Sequence, residues 1–431
     1  MIKSILLIFA AVGAVLVCRA QAWSYQYCVD YARQHNINLR KSRVTEQTGA
    51  VNLDEAKAQW QPTLDFGMSH GVANYPWRDG TKNSYTSNYA FSAGWTIYNG
   101  GERENNIKRK QLQTEIDKLN TGALMRSLET DLLQVYLNIL YAKESISICK
   151  EAATLSGAQA DRARQLMEGG KLSRVDYAQL QSQYEQDRYA LVNAQSTYDT
   201  RKMELKKLLE LGIDTDIELQ DVDWSDEQIL GMLPDMASTY ELALRNDLQL
   251  QSLGLEKDGA GIDIDIAKAG KRPKISLNAG VMTGYDAPGG SFGNSVKQAF
   301  GENVGLSLTV PIFNNKQTKS AVARARLQQF DAQLSIDQRS NELSQQVENW
   351  FIDTRSSQAR FMAAGEQLRA ARLTSELTDE KFDLGLVNTV ELMQAHNDLL
   401  EAQFGLLQAK YMAMLGHKMI EYYREAKITL P

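Results

Sequence analysis

Two pairs of short segments alternate between apolar residues and residues that are polar or small. The apolar positions of the first pair are Leu64, Phe66 and Met68, then Tyr89, Phe91, Ala93, Trp95 and Ile97; those of the second pair are Ile275, Leu277, Ala279 and Val281, then Val304, Leu306, Leu308, Val310 and Ile312. An alternation of period two places each apolar set on one face of a β-sheet. The connecting segments, from Tyr75 to Ser87 and from Asp286 to Glu302, contain Pro, Gly and Asn and are predicted to be loops.

The residues between those apolar positions indicate what the other sheet face contacts. Thr96, Ser276, Asn278, Ser307 and Thr309 are examples, and all of them are polar. Such a pattern is typical of a strand that faces lipid on one side and a watery lumen on the other. The strands of a soluble sandwich alternate in the same way, so both interpretations remain open at this point.

Most of the remaining chain has the spacing of long helices. No proline occurs from Gly101 to Gly169, and Leu112, Ile116 and Leu119 follow the three- and four-residue spacing of a coiled coil. The corresponding residues of the second half are Leu327, Phe330 and Leu334. A helix of about 68 residues would be about 100 Å long at 1.5 Å per residue, which is unusual in a globular domain.

Two tight turns interrupt these helices. They are Gly170-Lys171-Leu172-Ser173 and Gly385-Leu386-Val387-Asn388. Glycine supplies the left-handed residue that ends a helix, and Ser173 and Asn388 are residue types that cap the next one. Each turn by itself could simply connect two antiparallel helices. Because the two turns occupy matching positions in the two halves, a shared role is favoured.

The chain also repeats its motifs in order. Ala56-Lys57-Ala58 with Pro62 recurs as Ala267-Lys268-Ala269 with Pro273, and Ile97-Tyr98-Asn99 recurs as Ile312-Phe313-Asn314. Several matches in nearly constant register indicate an internal duplication. We predict a first structural repeat at 23–222 (a helix, two strands and a long helical hairpin), a linker at 223–231 and a second structural repeat at 232–428.

The N-terminus has the features of a secretory signal. Lys3 precedes an apolar run from Ile5 to Val17, and Ala20-Gln21-Ala22 has the small-x-small form of a cleavage site. We predict a signal peptide at 1–22, with lipidation of Cys18 as the alternative. Cys28 and Cys149 then remain, either as a disulfide or, more in keeping with their isolation, as two buried thiols.

Charge and residue chemistry exclude several classes of protein. The chain has 47 basic and 53 acidic residues, so it lacks the excess of positive charge that nucleic-acid binding requires. The four histidines, His35, His70, His396 and His417, lack the spacing of metal ligands, and no catalytic or nucleotide-binding motif is present. The sequence therefore predicts no enzyme, no cofactor and no metal site.

Four strands cannot close a barrel by themselves, and open sheet edges are not tolerated in lipid. Three chains would supply the strands of a 12-stranded barrel and a bundle of long helices. The predicted fold is an α+β membrane protein with a long α-helical coiled-coil barrel and a transmembrane β-barrel, each completed by a homotrimer.

These motifs resemble those of the TolC-like outer membrane efflux protein family over nearly all of 23–428. The resemblance rests on the repeated Ala-Lys-Ala-x3-Pro motif, the strand ends at Asn99-Gly100-Gly101 and Pro311-Ile312-Phe313-Asn314, and the glycine turns. It implies a trimeric outer membrane channel with a large periplasmic part and a belt of mixed structure at mid-height. It also implies a periplasmic adaptor protein and, indirectly, an inner-membrane transporter as partners. Asn314-Asn315-Lys316 departs from the family's Gly-Gly.

The resemblance also implies roles for residues at the two turns. Residues 170–173 and 385–388 would be the tips on which the adaptor docks. Asp176, Glu391 and Gln394 would belong to a periplasmic gate that acidic side chains narrow. Two residues depart from the family: Gln394 replaces what is often a second acid, and Phe382 stands where a tyrosine would hydrogen-bond Asp176.

The sequence predicts a passive exit duct of a tripartite efflux or type I secretion system. Drug, metal and protein export share the same duct, and specificity is expected to lie in the inner-membrane partner. An exported coiled-coil structural protein without pore activity is the alternative. Insertion into the outer membrane and ion conduction separate the two.

Overall fold

A computed structural model describes residues 22–80, 82–287 and 291–430. The predicted signal peptide, including Cys18, lies outside the described residues except for Ala22. The helices are α1 (Tyr25–His35), α2 (Ile37–Ala58), α3 (Glu102–Glu168), α4 (Arg174–Leu209), α5 (Asp226–Ile229), α6 (Met236–Asn246), α7 (Leu248–Ala269), α8 (Phe292–Gln298), α9 (Gln317–Asp383) and α10 (Thr389–Glu425). The strands are β1 (Thr63–Asn74), β2 (Asn83–Asn99), β3 (Lys274–Ala287) and β4 (Gly301–Thr309).

The same series of elements occurs twice with nearly the same lengths. α1 and α6 have 11 residues each, and α2 and α7 have 22 each. After two strands in each half, α3 and α9 both have 67 residues. The last helices, α4 and α10, have 36 and 37 residues. Among the described residues, a short helix, α8, lies between the strands of the second half and not between those of the first.

Side-chain caps fix where several helices begin. The Ser24 hydroxyl accepts from the Tyr27 N–H at the start of α1, and the Asp235 carboxylate accepts from the Ser238 N–H at the start of α6. Each cap satisfies a backbone donor that the helix itself leaves unpaired. Among the described residues, no helix has an apolar stretch long enough to cross a membrane.

The four strands form one antiparallel sheet in the order β1-β2-β3-β4. The predicted apolar residues meet across the strands, because Phe66 pairs with Phe91 and Phe91 pairs with Val281. Leu277 pairs with Leu306 in the same way. This apolar face is open: Val304, Leu306 and Leu308 are 78%, 69% and 63% exposed.

Four details of the strand prediction were wrong. A bulge between Thr96 and Tyr98 leaves Ile97 unpaired, so Tyr98 takes the place opposite Ile275. Val310 and Ile312 lie beyond the end of β4. The predicted loop from Tyr75 to Ser87 is shorter, because β2 begins at Asn83. The predicted loop from Asp286 to Glu302 contains the end of β3, the helix α8 and the start of β4.

The chain divides into two compact units. One contains Gly122–Asp247, the chain from Asn341 onward and the segment up to Arg40; the other contains Lys41–Thr121 and Leu248–Ser340. The first unit has a large apolar core, in which Leu132, Leu133 and Met414 are fully buried. Cys28 and Cys149 are buried free thiols in that unit, and burial raises the pKa of Cys28 to about 12. No disulfide joins them.

The second unit contains the sheet and polar contacts between its helices. Arg109 of α3 forms an ion pair with Asp263 of α7, at 3.3 Å. Where β2 ends and α3 begins, the buried guanidinium of Arg103 lies 4.1 Å from the centre of the Trp60 ring. The Trp95 indole N–H donates to the Trp60 carbonyl at 2.9 Å. These contacts fix the junction between strand and helix.

Candidate functional site

The two glycine turns have the same backbone geometry. Gly170 and Gly385 have φ angles of 71° and 72°, in the left-handed region that favours glycine. The Lys171 N–H donates to the Leu166 carbonyl at 2.8 Å, and the Leu386 N–H donates to the Lys381 carbonyl at 2.9 Å. With the glycine N–H bonded three residues back in each case, both turns are Schellman motifs.

The residues around the turns present apolar side chains to solvent. Leu384 and Leu386 are 73% and 70% exposed. Lys171 is exposed at the position equivalent to Leu386, whereas Leu172 and Val387 pack against a small core formed by Ala163, Leu180, Phe382 and Leu392. The two tips therefore have the same backbone conformation but differ in the side chain at the apex.

The two predicted gate acids, Asp176 and Glu391, each form hydrogen bonds with the N-cap residue of their own helix. The Ser173 hydroxyl accepts from the Asp176 N–H at 3.1 Å and donates to its Oδ2 at 2.7 Å. Asn388 accepts from the Glu391 N–H and donates to the Glu391 Oε1, both at 2.9 Å. Carboxylates in the first helical turn are also favoured by the helix dipole. The predicted capping roles of Ser173 and Asn388 are confirmed.

A contact between helices at the tips involves a residue that the sequence did not indicate. The hydroxyl of Thr389, the first residue of α10, donates to Asp176 Oδ1 of α4 at 3.1 Å. Hydrogen bonds from Ser173 and Thr389 hold the pKa of Asp176 below its usual value. Phe382 packs in the small core, and the inter-helix hydroxyl that bonds Asp176 is that of Thr389. The sequence feature that could have pointed to Thr389 is its position directly after the capping residue Asn388.

Gln394 bonds within its own helix. Its amide donates to Asp398 Oδ1 at 2.6 Å, one turn further along α10. The prediction assigned Gln394 to the gate together with Glu391 and did not include Asp398. The polar face of α10 near the tip thus carries two acids, Glu391 and Asp398, with Gln394 between them.

A buried hydrogen bond links the same two helices behind the tips. His396 Nε2 of α10 lies 2.9 Å from Asp187 Oδ2 of α4, and the side chains are 3% and 4% exposed. Gln183 donates to Asp187 Oδ1 at 3.1 Å and to Asn397 Oδ1 at 3.3 Å. Burial acts to raise the pKa of Asp187, but hydrogen bonds from His396, Ser156 and Gln183 outweigh it and lower the pKa.

The sequence shows only that His396 lacks the spacing of a metal ligand, and it does not predict a partner for this residue. The structure brings Asp187 to it from another helix. Within the described residues, no group of three or more His, Cys, Asp or Glu side chains is placed to hold a metal ion.

Comparisons with known proteins identify similar chains. The sequence profile of the family described as Outer membrane efflux protein matches residues 28–210 and 239–414. The alkaline protease secretion protein AprF of Pseudomonas aeruginosa is 23% identical over 295 residues, which span 68% of this chain and 60% of AprF. The outer membrane protein TolC of Escherichia coli K12 is 22% identical over 412 residues, which span 93% of this chain and 82% of TolC.

The fold is also similar to a solved structure. CusC, whose crystal structures concern conformational changes that accompany folding and transmembrane channel formation, has a TM-score of 0.80 to this chain at 17% sequence identity. The similarity covers 92% of this chain and 91% of CusC. At this identity the likeness shows the fold.

Proposed function

The chain belongs to the outer membrane efflux protein family, and we propose that three copies of it form one passive exit duct through the outer membrane and the periplasm. The observation that carries the proposal is the single four-stranded sheet with an exposed apolar face. The duct would serve a tripartite efflux or type I secretion system, and its energy would come from an inner-membrane transporter. Outer membrane localisation, with a large periplasmic part, accords with the family.

The edges of the sheet support closure by further copies. In the described part of the chain, β1 pairs with β2 alone and β4 pairs with β3 alone. Each edge therefore carries backbone N–H and C=O groups without ladder partners, and each such group costs several kcal/mol in lipid. Pairing of β4 with β1 of the next copy satisfies both edges, and three copies close a 12-stranded barrel.

Apolar residues on the long helices support the same assembly. Leu327, Phe330 and Leu334 form part of the predicted coiled-coil stripe on α9, yet all three are exposed in the single chain. Leu343 and Val347, further along α9, are buried within the chain. An exposed stripe of this spacing is what a coiled-coil partner covers. A neighbouring copy would bury it.

We further propose that the two tips receive a periplasmic adaptor protein. The exposed side chains of Leu384 and Leu386, together with Lys171 on the other tip, offer it apolar contacts and one charge. Asp176, Glu391 and Gln394 would line the gate behind the tips. The two series of elements are interpreted as structural repeats at 23–222 and 232–428, joined by a linker at 223–231.

The test is conduction in a planar lipid bilayer. Full-length protein extracted from outer membranes is added to one side of the bilayer, and heat-denatured protein serves as the control. Discrete current steps from the native protein alone support the duct. Absence of the protein from outer membranes, with no current steps, would instead support the exported structural protein.

A further inference from the structure

A cavity of about 330 Å³ lies between α3, α9 and α10 in the first unit. Its apolar wall includes Leu155, Leu399 and Leu400. This volume is at the small end of the range that ligand pockets occupy, and an apolar wall with a few polar groups is their usual lining. The duct proposed above does not use this cavity.

The charges around the cavity are mostly negative. Glu151, Glu376 and Asp379 line it, and Arg372 is the one cation among the described lining residues. Asp379 already accepts a hydrogen bond from Gln159, at 2.8 Å. Glu376, which also lines the cavity, is exposed and therefore lies at the rim. Acidic residues alone do not define a site, because a solvated helix face carries them too.

His396 supplies an independent observation. It lines the cavity, is 3% exposed, and its Nδ1 has no hydrogen-bond partner among the described residues. Its Nε2 faces the Asp187 carboxylate, which is ionised because its pKa is lowered. The Nε2 N–H therefore donates to Asp187, and Nδ1 is a free acceptor whenever the ring is neutral. A buried polar atom without a partner calls for an explanation.

We propose that this cavity binds a small amphiphilic amine. The ammonium group donates to His396 Nδ1 and is attracted by the rim carboxylate of Glu376, while the apolar part of the amine lies against Leu155, Leu399 and Leu400. An anion of the same shape is repelled by the carboxylates, and a neutral alcohol lacks the charge. The bound amine contacts three helices and links α3 to the hairpin of α9 and α10.

The probe is 4-phenylbutylamine, titrated into the full-length protein in a nonionic detergent and followed by ligand-observed NMR. We expect saturable binding in about the millimolar range, as suits a ligand of this size. We expect 4-phenylbutanoate and 4-phenylbutanol to bind at least about fivefold more weakly, the effect of one charge contact near a surface. Equal binding of the alcohol would overturn the role of charge.

Variants locate the site. Glu376→Gln should weaken binding of the amine about fivefold, and Gln403→Trp, at the lining of the cavity, should abolish it by filling the space. Glu366→Gln is the matched control, because Glu366 is an exposed acid of the same helix paired with Arg369. Circular dichroism and thermal melting check that each variant is folded. An equal loss in the control, or none in the two cavity variants, would overturn the site.

The trimethylammonium analogue of the probe keeps the charge but has no N–H to donate. It should bind more weakly than the primary amine if His396 Nδ1 accepts the ligand's hydrogen bond. Equal affinity of the two compounds would contradict that hydrogen bond.

Discussion

Replacing Thr389 by valine removes the hydroxyl that joins α10 to Asp176 of α4 at the tips. Valine has nearly the same shape, and Thr389 is buried, so the packing around it is preserved. Asp176 retains its two hydrogen bonds with Ser173. The substitution therefore tests the link between the helices without altering a cap or a charge.

The size of the effect follows from the kind of hydrogen bond. A bond to a charged group contributes about 1.5–3 kcal/mol when buried. Asp176 is only partly buried, so we take about 1 kcal/mol for each chain. If opening breaks this bond in all three copies, the closed state loses about 3 kcal/mol, which is about a hundredfold change in the ratio of open to closed channels.

The assay is single-channel recording in a planar bilayer, with Thr389→Ser as the control that keeps the hydroxyl. Thr389→Val should raise the open fraction strongly, and Thr389→Ser should behave much like the unaltered protein. Identical open fractions for Thr389→Val and the unaltered protein would refute the assignment of this contact to the gate.

The pH dependence of that difference has a definite sign. The pKa of Asp176 is lowered from its ordinary value of 3.8 by the Ser173 and Thr389 hydroxyls. A lowered pKa means that the stabilisation is present above the ordinary value and is lost as pH falls through the lowered one. The difference between Thr389→Val and the unaltered protein should therefore persist from pH 7 to pH 5 and shrink only below about pH 4.

Three further sets of substitutions test the docking tip, the sheet faces and the gate. Gly385→Trp should abolish export from cells without preventing membrane insertion, because it places a large side chain at the docking tip. Gly385→Ala imposes the same backbone strain but adds little bulk, so this control should retain export. Leu306→Arg should impair outer membrane insertion by about 2–4 kcal/mol, whereas Ser307→Arg on the opposite face should be tolerated; equal amounts of both variants in outer membranes would reject the assigned faces. Glu391→Ala combined with Asp176→Ala should raise single-channel conductance and lower cation selectivity, and unchanged values in an assembled double mutant would remove these acids from the gate.

The alternation of residues was sufficient to predict the four strands, because period two is a local property. It did not predict where β4 ends. Val310 and Ile312 continue the alternation, but Pro311 has no N–H for the ladder, and β4 stops at Thr309. The bulge at Ile97 was missed for a related reason: an extra residue changes the pairing with β3, which the pattern of one strand does not report.

The candidate site also has features that the sequence predicts and contacts that it does not. The turns and caps at Gly170, Ser173, Gly385 and Asn388 could be predicted because glycine and capping residues act on their own backbone. The contact from Thr389 to Asp176 joins residues 213 positions apart, and so depends on how two helices pack. The same holds for the pair of His396 and Asp187, separated by 209 positions.

Electron cryo-microscopy of the full-length protein, extracted from outer membranes, tests the central claim most directly. Three copies should close a single barrel, with β4 of each copy paired to β1 of the next and Leu327, Phe330 and Leu334 covered by a neighbouring chain. A particle in which the sheet edges of β1 and β4 remain unpaired, or in which another number of copies closes the barrel, would contradict the trimeric duct.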